Sequence, residues 1–382
     1  MFTEKSIYFD NAATTPLDER VIQEMLPFFR QNFGNPSSVH SHGRQVRAEI
    51  EKARKKVAQI LNVQPGEIFF TSGGTEADNT AISGAIESYH IKHVITSPIE
   101  HHAVLHTVEN CAEKFKIPYS LLKTDKLGNI DINQLEDHLK SNPNSLVSLM
   151  HGNNEIGNLI DLVAVSNLCH AYGAYFHSDT VQTIGHYHHD LKSMPNLHAI
   201  AGAAHKFHGP KGVGFLYVNK NKKIKGLIKG GSQERNMRGG TENVPGIIGL
   251  AKALEISVNE MGHHRNHILA LKNHFTQMLS QFIPGAEFHG LSGEFDKSLY
   301  TVLNVSFPVS ERNQGMLLFH LDLAGISVSG GSACSSGATL GSHVLRHIQA
   351  DPNREAIRFS FSRFNTKEEI DYCIEKLHEL YP

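Results

Sequence analysis

The chain has 382 residues, of which 40% are hydrophobic and 19% charged, and its formal net charge is −2. This length predicts one large and one smaller domain, and the composition is typical of a soluble globular protein. The near-neutral charge argues against a nucleic-acid or anionic-membrane surface, which needs an excess of basic residues. No apolar run approaches the roughly 20 residues that span a bilayer, and the first residues lack a signal-peptide pattern. We therefore expect a cytoplasmic protein.

Between about residues 45 and 220, helix-like and strand-like segments alternate. QVRAEIEKARKKVAQILN places apolar residues at helical spacing, and EIFFTSGGTEADNTAISGAI reads as a strand, a glycine turn and a helix. Short apolar strands separated by helices predict a mostly parallel sheet that is covered on both faces. Ligands of such sheets bind at the carboxyl ends of the strands.

After residue 245 the pattern changes to a smaller α+β arrangement. One long helical stretch, GIIGLAKALEISVNEMGHHRNHILALKNHFTQMLSQF, leads to strands near LYTVLNVSF and IRFSFSRF and to a last helix, TKEEIDYCIEKLHELY. We expect residues 15–250 to form the large domain. Residues 1–14 and 251–382 are expected to form the small domain.

The four cysteines are far apart and form no CxxC pair, so neither a disulfide framework nor a structural zinc site is indicated. Cys111, Cys169 and Cys373 lie in helix-like segments, which is typical of buried, inert thiols. Cys334 differs, because it lies in SGGSACSSG among small, flexible residues.

The 26 histidines are numerous, and they are densest in HYHHD at 186–190. None of the dense groups combines histidines at positions i and i+4 of a helix with a carboxylate, as a helical zinc site does. We interpret them as surface and capping residues and expect no metal.

Three motifs suggest a binding site. SGGTEADN, residues 72–79, follows a strand and opens a helix, so its backbone could bind an anion, although a simple capped turn would look the same. Asp179 ends the strand-like AYFHSD, with Gln182 three residues later, and its alternative role is an N-cap. Lys206, in HKFHGPKG, is either a loop lysine or a desolvated amine suited to Schiff-base chemistry.

The order of these motifs carries more information than each of them alone. An anion-binding turn is followed by EHHA, HGNNEIG, a carboxylate at a strand end and a lysine beside a histidine. Pyridoxal phosphate needs a phosphate cup, a group stacked on its ring, a carboxylate opposite its pyridine nitrogen and a lysine for its aldehyde. One cofactor therefore accounts for the whole set.

The sequence resembles the cysteine desulfurases of the class V aminotransferase family, which have the aspartate-aminotransferase fold (fold type I). The resemblance covers almost the whole chain and rests on the motifs YFDNAATTP, FGNPSS, TSGGTEADN, EHHAV, HGNNEIG, HKFHGPKG, RGGTENV and GSACSSG. It implies a large α/β domain with a mostly parallel central sheet and a smaller α+β domain. It also implies removal of sulfur from L-cysteine, giving alanine and a persulfide on Cys334.

The resemblance implies a role for each cofactor-binding residue. Lys206 matches the lysine that holds pyridoxal 5'-phosphate, and Asp179 the carboxylate that keeps the pyridine nitrogen protonated. Gln182 matches the group that hydrogen-bonds the ring hydroxyl. His101 matches the imidazole that stacks on the ring and can transfer protons. The phosphate cup corresponds to Gly74, Thr75 and His205.

Other matches concern the substrate and the partners. Asn154 and Arg358 match the groups that hold the substrate carboxylate, a task that suits the planar guanidinium fork. Thr241 matches a residue that reaches the phosphate of the neighbouring subunit, which implies a homodimer with shared sites. The long loop around Cys334 resembles that of the branch serving iron–sulfur cluster assembly, so a scaffold or another sulfur-acceptor protein is the implied partner.

One residue departs from the family pattern. Many desulfurases have serine three residues before the cofactor lysine, where this chain has Ala203. Loss of a hydroxyl that binds a charged oxygen weakens binding by about 1.5–3 kcal/mol unless another donor replaces it.

Other functions remain to be considered. A selenocysteine lyase or an aminotransferase could share the fold, but an ordinary aminotransferase would not need Cys334. A non-catalytic or histidine-rich metal-binding protein on the same fold is disfavoured because Lys206, Asp179, His101, Arg358 and Cys334 are all present.

Overall fold

The computed structural model describes residues 6–330 and 341–381. The helices are α1 Glu19–Arg30, α2 Ser41–Ile60, α3 Gly74–Tyr89, α4 His102–Phe115, α5 Ile132–Ser141, α6 Leu162–Ala171, α7 Val244–Asn259, α8 Met261–Phe282, α9 Leu317–Leu323, α10 His343–His347 and α11 Lys367–Leu380. The strands are β1 Ile7–Tyr8, β2 Ile68–Thr71, β3 His93–Thr96, β4 Tyr119–Leu121, β5 Ser145–Ser148, β6 Tyr175–Asp179, β7 Ala199–Ala203, β8 Gly214–Val218, β9 Glu287–Phe288, β10 Val302–Phe307, β11 Ile326–Ser327, β12 Ser329–Gly330 and β13 Glu355–Ser360.

A seven-stranded sheet forms the centre of the fold, in the order β2-β8-β7-β6-β5-β3-β4. Strands β4, β3, β5, β6 and β7 pair in parallel, whereas β8 is antiparallel to both β7 and β2. All strands except β8 therefore point the same way, and their carboxyl ends meet at one edge. The predicted mostly parallel sheet is confirmed.

Alternate residues of the parallel strands pack on opposite faces of this sheet. Val147 and Phe176 join an apolar core with α2 and α7, while their neighbours Leu146 and Tyr175 join a second core with α3 and α4. Because both faces are covered, the inner strands β5 and β6 are buried at every position.

A second, antiparallel sheet has the order β12-β13-β10-β9, and its apolar core is shared with α8 and α11. The predicted strands near 299–307 and 357–364 and the last helix are confirmed. No helix among the described residues is long and apolar enough to cross a lipid bilayer.

The single long helix predicted for residues 246–282 is wrong, because the chain forms two helices with a break at Glu260. Glu260 has φ −103° and ψ 8°, outside the helical region. Its carboxylate binds Arg20 of α1 and His264 of α8, and Gly262, a poor helix former, follows closely. The contact with Arg20 joins Glu260 to a distant segment, so the apolar periodicity, which continues unchanged, does not indicate the break.

Lys272 of α8 is fully buried although it carries an amine. Its Nζ donates hydrogen bonds to the carbonyl oxygen of Leu299 at 3.0 Å and to Oγ of Ser298 at 3.3 Å, both uncharged acceptors. Burial lowers the pKa of Lys272 from 10.5 to about 7. The charged form is therefore disfavoured in the folded state, and this amine destabilises the fold at low pH.

We expect Lys272→Met to stabilise the protein relative to wild type more at about pH 6 than at about pH 9. The unfolded chain binds this proton up to its ordinary pKa, so the penalty is complete below pH 7 and disappears as the pH rises towards 10.5. Urea unfolding at both pH values measures the difference, with the exposed Lys367→Met as control. A difference that does not change with pH would contradict this account.

Candidate active site

Asp179 lies at the carboxyl end of β6, at the sheet edge where the parallel strands end. Its side chain is buried, and Oδ1 accepts a hydrogen bond of 2.8 Å from the backbone N–H of Val181. Burial raises the pKa of Asp179 to about 6, while this hydrogen bond and Lys206 oppose the rise. Three residues later, Nε2 of Gln182 donates to the carbonyl oxygen of Ala12 at 3.0 Å.

Lys206 lies in a short 3-10 turn, Ala204–Lys206, directly after β7, the strand next to β6. Its Nζ donates to the carbonyl oxygens of Ala12 and Ala13 at 2.5 and 3.0 Å. The amine is therefore held over the same sheet edge as Asp179 by the segment that follows β1.

The amino end of α3 provides backbone donors at this edge. The helix begins at Gly74 after β2, and the first N–H groups of a helix have no intrahelical acceptor. A Cβ atom on Gly74 would lie 2.5 Å from Cγ2 of Val181 and 3.7 Å from Cβ of Ala203. The close approach therefore requires glycine, and it places the helix end beside Ala203.

His101 caps α4, with Nδ1 accepting a hydrogen bond from the backbone N–H of Ala103 at 3.1 Å. Burial, and secondly Lys206, lowers the pKa of His101 to about 4. The imidazole is therefore neutral at pH 7, and the hydrogen bond assigns its proton to Nε2. His205, the neighbour of Lys206, also has a pKa of about 4, chiefly because of burial.

These side chains surround one cavity of about 290 Å³. Its lining residues are Ala12, Ala13, Gly74, Thr75, Asp78, His101, Met150, Asn154, Asp179, Val181, Gln182, Ala203, His205 and Lys206. The amino end of a helix, a lysine, a carboxyl group and a neutral imidazole thus converge from four separate segments of the chain.

Arg358, on β13 of the small sheet, lies beside this cavity. Nη1 donates to the carbonyl oxygen of Asn154 at 2.9 Å, and Nη2 forms an ion pair with Oδ1 of Asp10 at 2.8 Å. Nη2 also bonds Oγ of Ser329, whereas Nε has no hydrogen-bond partner and is buried. The guanidinium is thus held in place by the segment next to β1 and by the loop that carries Asn154.

The sequence of residues 7–373 matches the family model of class-V aminotransferases. The chain belongs to the class-V aminotransferase family. It is 41% identical to the cysteine desulfurase IscS of Dictyoglomus turgidum, over 99% of this chain and 95% of that protein. It is 39% identical to the cysteine desulfurase NifS of Azotobacter vinelandii, over 97% of this chain and 91% of that protein.

Solved structures of the same family share the fold. A NifS-like protein superposes with a TM-score of 0.88 at 38% identity, covering 98% of this chain and 99% of that chain. SspA in complex with cysteine superposes with a TM-score of 0.81 at 30% identity, covering 94% of this chain and all of that chain. The predicted fold class and family membership are confirmed.

The structure brings together eight of the site residues predicted from the sequence. The cavity is lined by Gly74, Thr75, His101, Asn154, Asp179, Gln182, His205 and Lys206. Thr241 lies outside this cavity, in a cleft that it shares with Ser72 and Arg238. Cys334 lies outside the described residues.

The sequence analysis missed two acidic residues at the site. Asp78 lines the cavity, and it lies within the motif TSGGTEADN, one helical turn after Gly74, so the spacing could have indicated it. Asp10 pairs with Arg358, and no local pattern indicates a partner 348 residues away.

The interpretation of the histidines as surface and capping residues is only partly right. His40 and His101 cap helices, but His151, His177 and His189 are part of the protein interior. Nδ1 of His151 lies 3.1 Å from Nε2 of His189, and burial lowers the pKa of both. Among residues 6–330 and 341–381, no group of three or more potential ligands is arranged to hold a metal.

The prediction that three cysteines are buried is confirmed. Cys111, Cys169 and Cys373 lie in α4, α6 and α11, and burial raises the pKa of each thiol. A protonated, buried thiol is a poor nucleophile. None of these three residues is therefore suited to attack a substrate.

Proposed function

We propose that this protein is a pyridoxal-phosphate-dependent cysteine desulfurase, which removes sulfur from L-cysteine and leaves it on Cys334. The observation that carries the proposal is the convergence of Lys206, Asp179, His101 and the amino end of α3 on one cavity. The relatives named cysteine desulfurase match nearly the full chain and support it.

The residues of the cavity fit pyridoxal phosphate. Gly74 leaves open a cradle that a Cβ atom would fill, and the amino end of α3 with the Thr75 hydroxyl offers donors to a phosphate. Lys206 would hold the aldehyde, and Asp179 would face the ring nitrogen. When bound, this cofactor accepts electrons from the substrate α-carbon and so allows a proton to leave that carbon.

Lys206 and Asp179 would both take part in the proton chemistry of the site. With substrate bound, the free Nζ of Lys206 would be a base that could take the α-proton. The carboxylate of Asp179 would hold the proton of the ring nitrogen, and this opposite charge would lower the carboxyl pKa below about 6.

His101 and Arg358 orient the substrate. The neutral His101 presents its protonated Nε2, while Nδ1 is occupied by the backbone of α4. Arg358 binds the substrate carboxylate together with Asn154, since its guanidinium is already positioned by Asp10 and carries a buried Nε without a partner.

Cys334 accepts the sulfur. Its thiolate attacks the substrate sulfur, the bond from that sulfur to the β-carbon breaks, and the β-carbon regains a proton. L-Cysteine and one thiol thus give alanine and one persulfide, without a net oxidant. The persulfide then passes to an acceptor protein of iron–sulfur cluster assembly or to another acceptor.

We further propose that the active protein is a homodimer. Thr241 is exposed and lies outside the cavity of its own subunit. This position supports a contact between Thr241 and the phosphate site of a second copy.

The function is tested by the release of alanine and sulfide from L-cysteine in the presence of pyridoxal phosphate and dithiothreitol. We expect release by the wild-type protein and none by Lys206→Ala. Equal release by both proteins would contradict the proposal.

We also expect Ala203→Ser to tighten the binding of pyridoxal phosphate by about tenfold or more, because a hydroxyl bond to a charged oxygen contributes about 1.5–3 kcal/mol. The side chain of residue 203 lies beside Gly74 at the amino end of α3, where the phosphate would bind. Titration of the visible absorbance of the bound cofactor measures the dissociation constant. Ala203→Gly, which lacks the hydroxyl, is the control, and an unchanged or weaker affinity in Ala203→Ser would contradict the prediction.

A further inference from the structure

Asp78 is a buried carboxyl group to which the proposed chemistry gives no role. It lies in the second turn of α3, is 1% exposed, and lines the same cavity as Asp179. Its Oδ1 lies 3.3 Å from Nε2 of His177, and both atoms are buried without a hydrogen-bond partner. The two groups therefore face each other and require a proton between them, because both would otherwise be acceptors.

His177 is fully buried on β6, two residues before Asp179, so both side chains lie on the same face of the sheet. Its Nδ1 lies 2.9 Å from Oγ of Ser148 on β5. Burial lowers the pKa of His177 to about 3, so the ring is neutral. A neutral imidazole has one donor and one acceptor nitrogen, and the neighbours decide which is which.

Three carboxyl groups lie close together here, whereas the cations are few. Asp78 faces two residues of β6, His177 and Asp179, and also Glu100, which lies just before α4. The neighbouring strand β7, AIAGA, has no titratable side chain. Burial, then repulsion from Asp179 and Glu100, raises the pKa of Asp78 well above its ordinary value. Burial likewise raises the pKa of Glu100 to about 8.

The cavity has few basic side chains to balance these groups. Lys206 is the one lysine or arginine among its described lining residues, and His101 and His205 are neutral. Ionisation of Asp78 as well as Asp179 would place two negative charges in a buried site. A protonated Asp78 avoids this and supplies the hydrogen that Nε2 of His177 lacks.

We propose that Asp78 is a positioning residue that carries a proton and donates it to Nε2 of His177, while Nδ1–H of His177 donates to Ser148. The arrangement keeps the negative charge of the two carboxyl groups on Asp179. That charge matters for catalysis only if the proposed function is right, because it is the charge that faces the ring nitrogen. The protonation of Asp78 itself does not depend on the proposed function, because it is a property of the cofactor-free protein.

The first test is nitrogen NMR of the cofactor-free protein labelled with ¹⁵N-histidine, with His177→Gln identifying the signals of His177. We expect a neutral ring with the proton on Nδ1 and an unprotonated Nε2. A protonated Nε2 would mean that Asp78 is the ionised acceptor, and this result would overturn the proposal. The experiment involves no cofactor, so its outcome stands even if the protein is not a desulfurase.

The second test uses Asp78→Asn, which keeps the shape and a donor but has no charge. We expect the same His177 tautomer and an unchanged midpoint in the pH titration of the visible absorbance of bound pyridoxal phosphate. If Asp78 were ionised, its removal would lower that midpoint by about 1–3 pH units, and such a shift would overturn the proposal. Asp78→Ala, which has no donor, is expected to lose the fixed tautomer.

Discussion

Replacement of Arg54 by methionine is expected to destabilise the protein by about 3–5 kcal/mol, because it leaves a buried carboxylate without its partner. The guanidinium of Arg54 binds Glu234 through two hydrogen bonds of 2.6 and 2.7 Å. The side chains are 3% and 2% exposed, so water cannot take the place of the lost partner.

Glu234 lies in the loop before α7, and the ion pair with Arg54 fixes this loop to α2. Its Oε2 also accepts a hydrogen bond of 2.8 Å from the backbone N–H of Phe70 on β2. Arg54 in turn donates to the carbonyl oxygen of Ile68 at 2.9 Å. The pair therefore connects α2, the edge strand β2 and the loop that leads to Thr241.

Urea unfolding measures this effect, and Arg235→Met is the matched control. Arg235 is the neighbour of Glu234, but it is half-exposed and pairs with Glu51 at 3.4 Å. Exposed pairs contribute about 0–1 kcal/mol, so this control is expected to change stability little. Equal losses in the two variants would contradict the assignment of a buried, essential ion pair.

The arrangement of the large sheet could be predicted from the sequence because its signals are local. Apolar strands and amphipathic helices alternate, and in a parallel sheet the strand ends must meet at one edge. Asp179 and Lys206 could therefore be placed together before the structure was known. The resemblance to the cysteine desulfurases added the roles of Gln182 and His101, and the structure places both side chains at the same cavity.

Other features depend on contacts between distant segments, and no local pattern indicates them. Asp78 and His177 are in contact although they are 99 positions apart in the sequence, and Arg54 and Glu234 form an ion pair although they are 180 positions apart. Several histidines are neutral and buried because tertiary packing removes them from water. The division of the chain near residue 250 stays a prediction, as do the roles of Thr241 and Cys334.

The largest expected effect on activity is that of Lys206→Ala. Proton transfer by a positioned side chain accelerates a reaction by about 100- to 10,000-fold, and the variant also loses the attachment point of the cofactor. We expect alanine formation to fall by at least this factor. Lys211→Ala is the matched control, because Lys211 belongs to the same motif, HKFHGPKG, but is exposed and outside the cavity.

Cys334→Ser separates the desulfurase from an aminotransferase on the same fold. A desulfurase loses sulfur transfer with this variant but keeps the visible absorbance of the bound cofactor. An aminotransferase would keep its transamination, because it does not use this thiol. Loss of the absorbance as well would indicate a structural defect rather than a missing nucleophile.

The most direct test of the function is the amount of alanine formed from L-cysteine by four proteins that carry bound pyridoxal phosphate or have been incubated with it. These are the wild type, Lys206→Ala, Lys211→Ala and Cys334→Ser. We expect alanine with matching sulfide from the wild type and Lys211→Ala, and none above background from the other two. Alanine and sulfide from Lys206→Ala at the wild-type rate would contradict the proposed cysteine desulfurase.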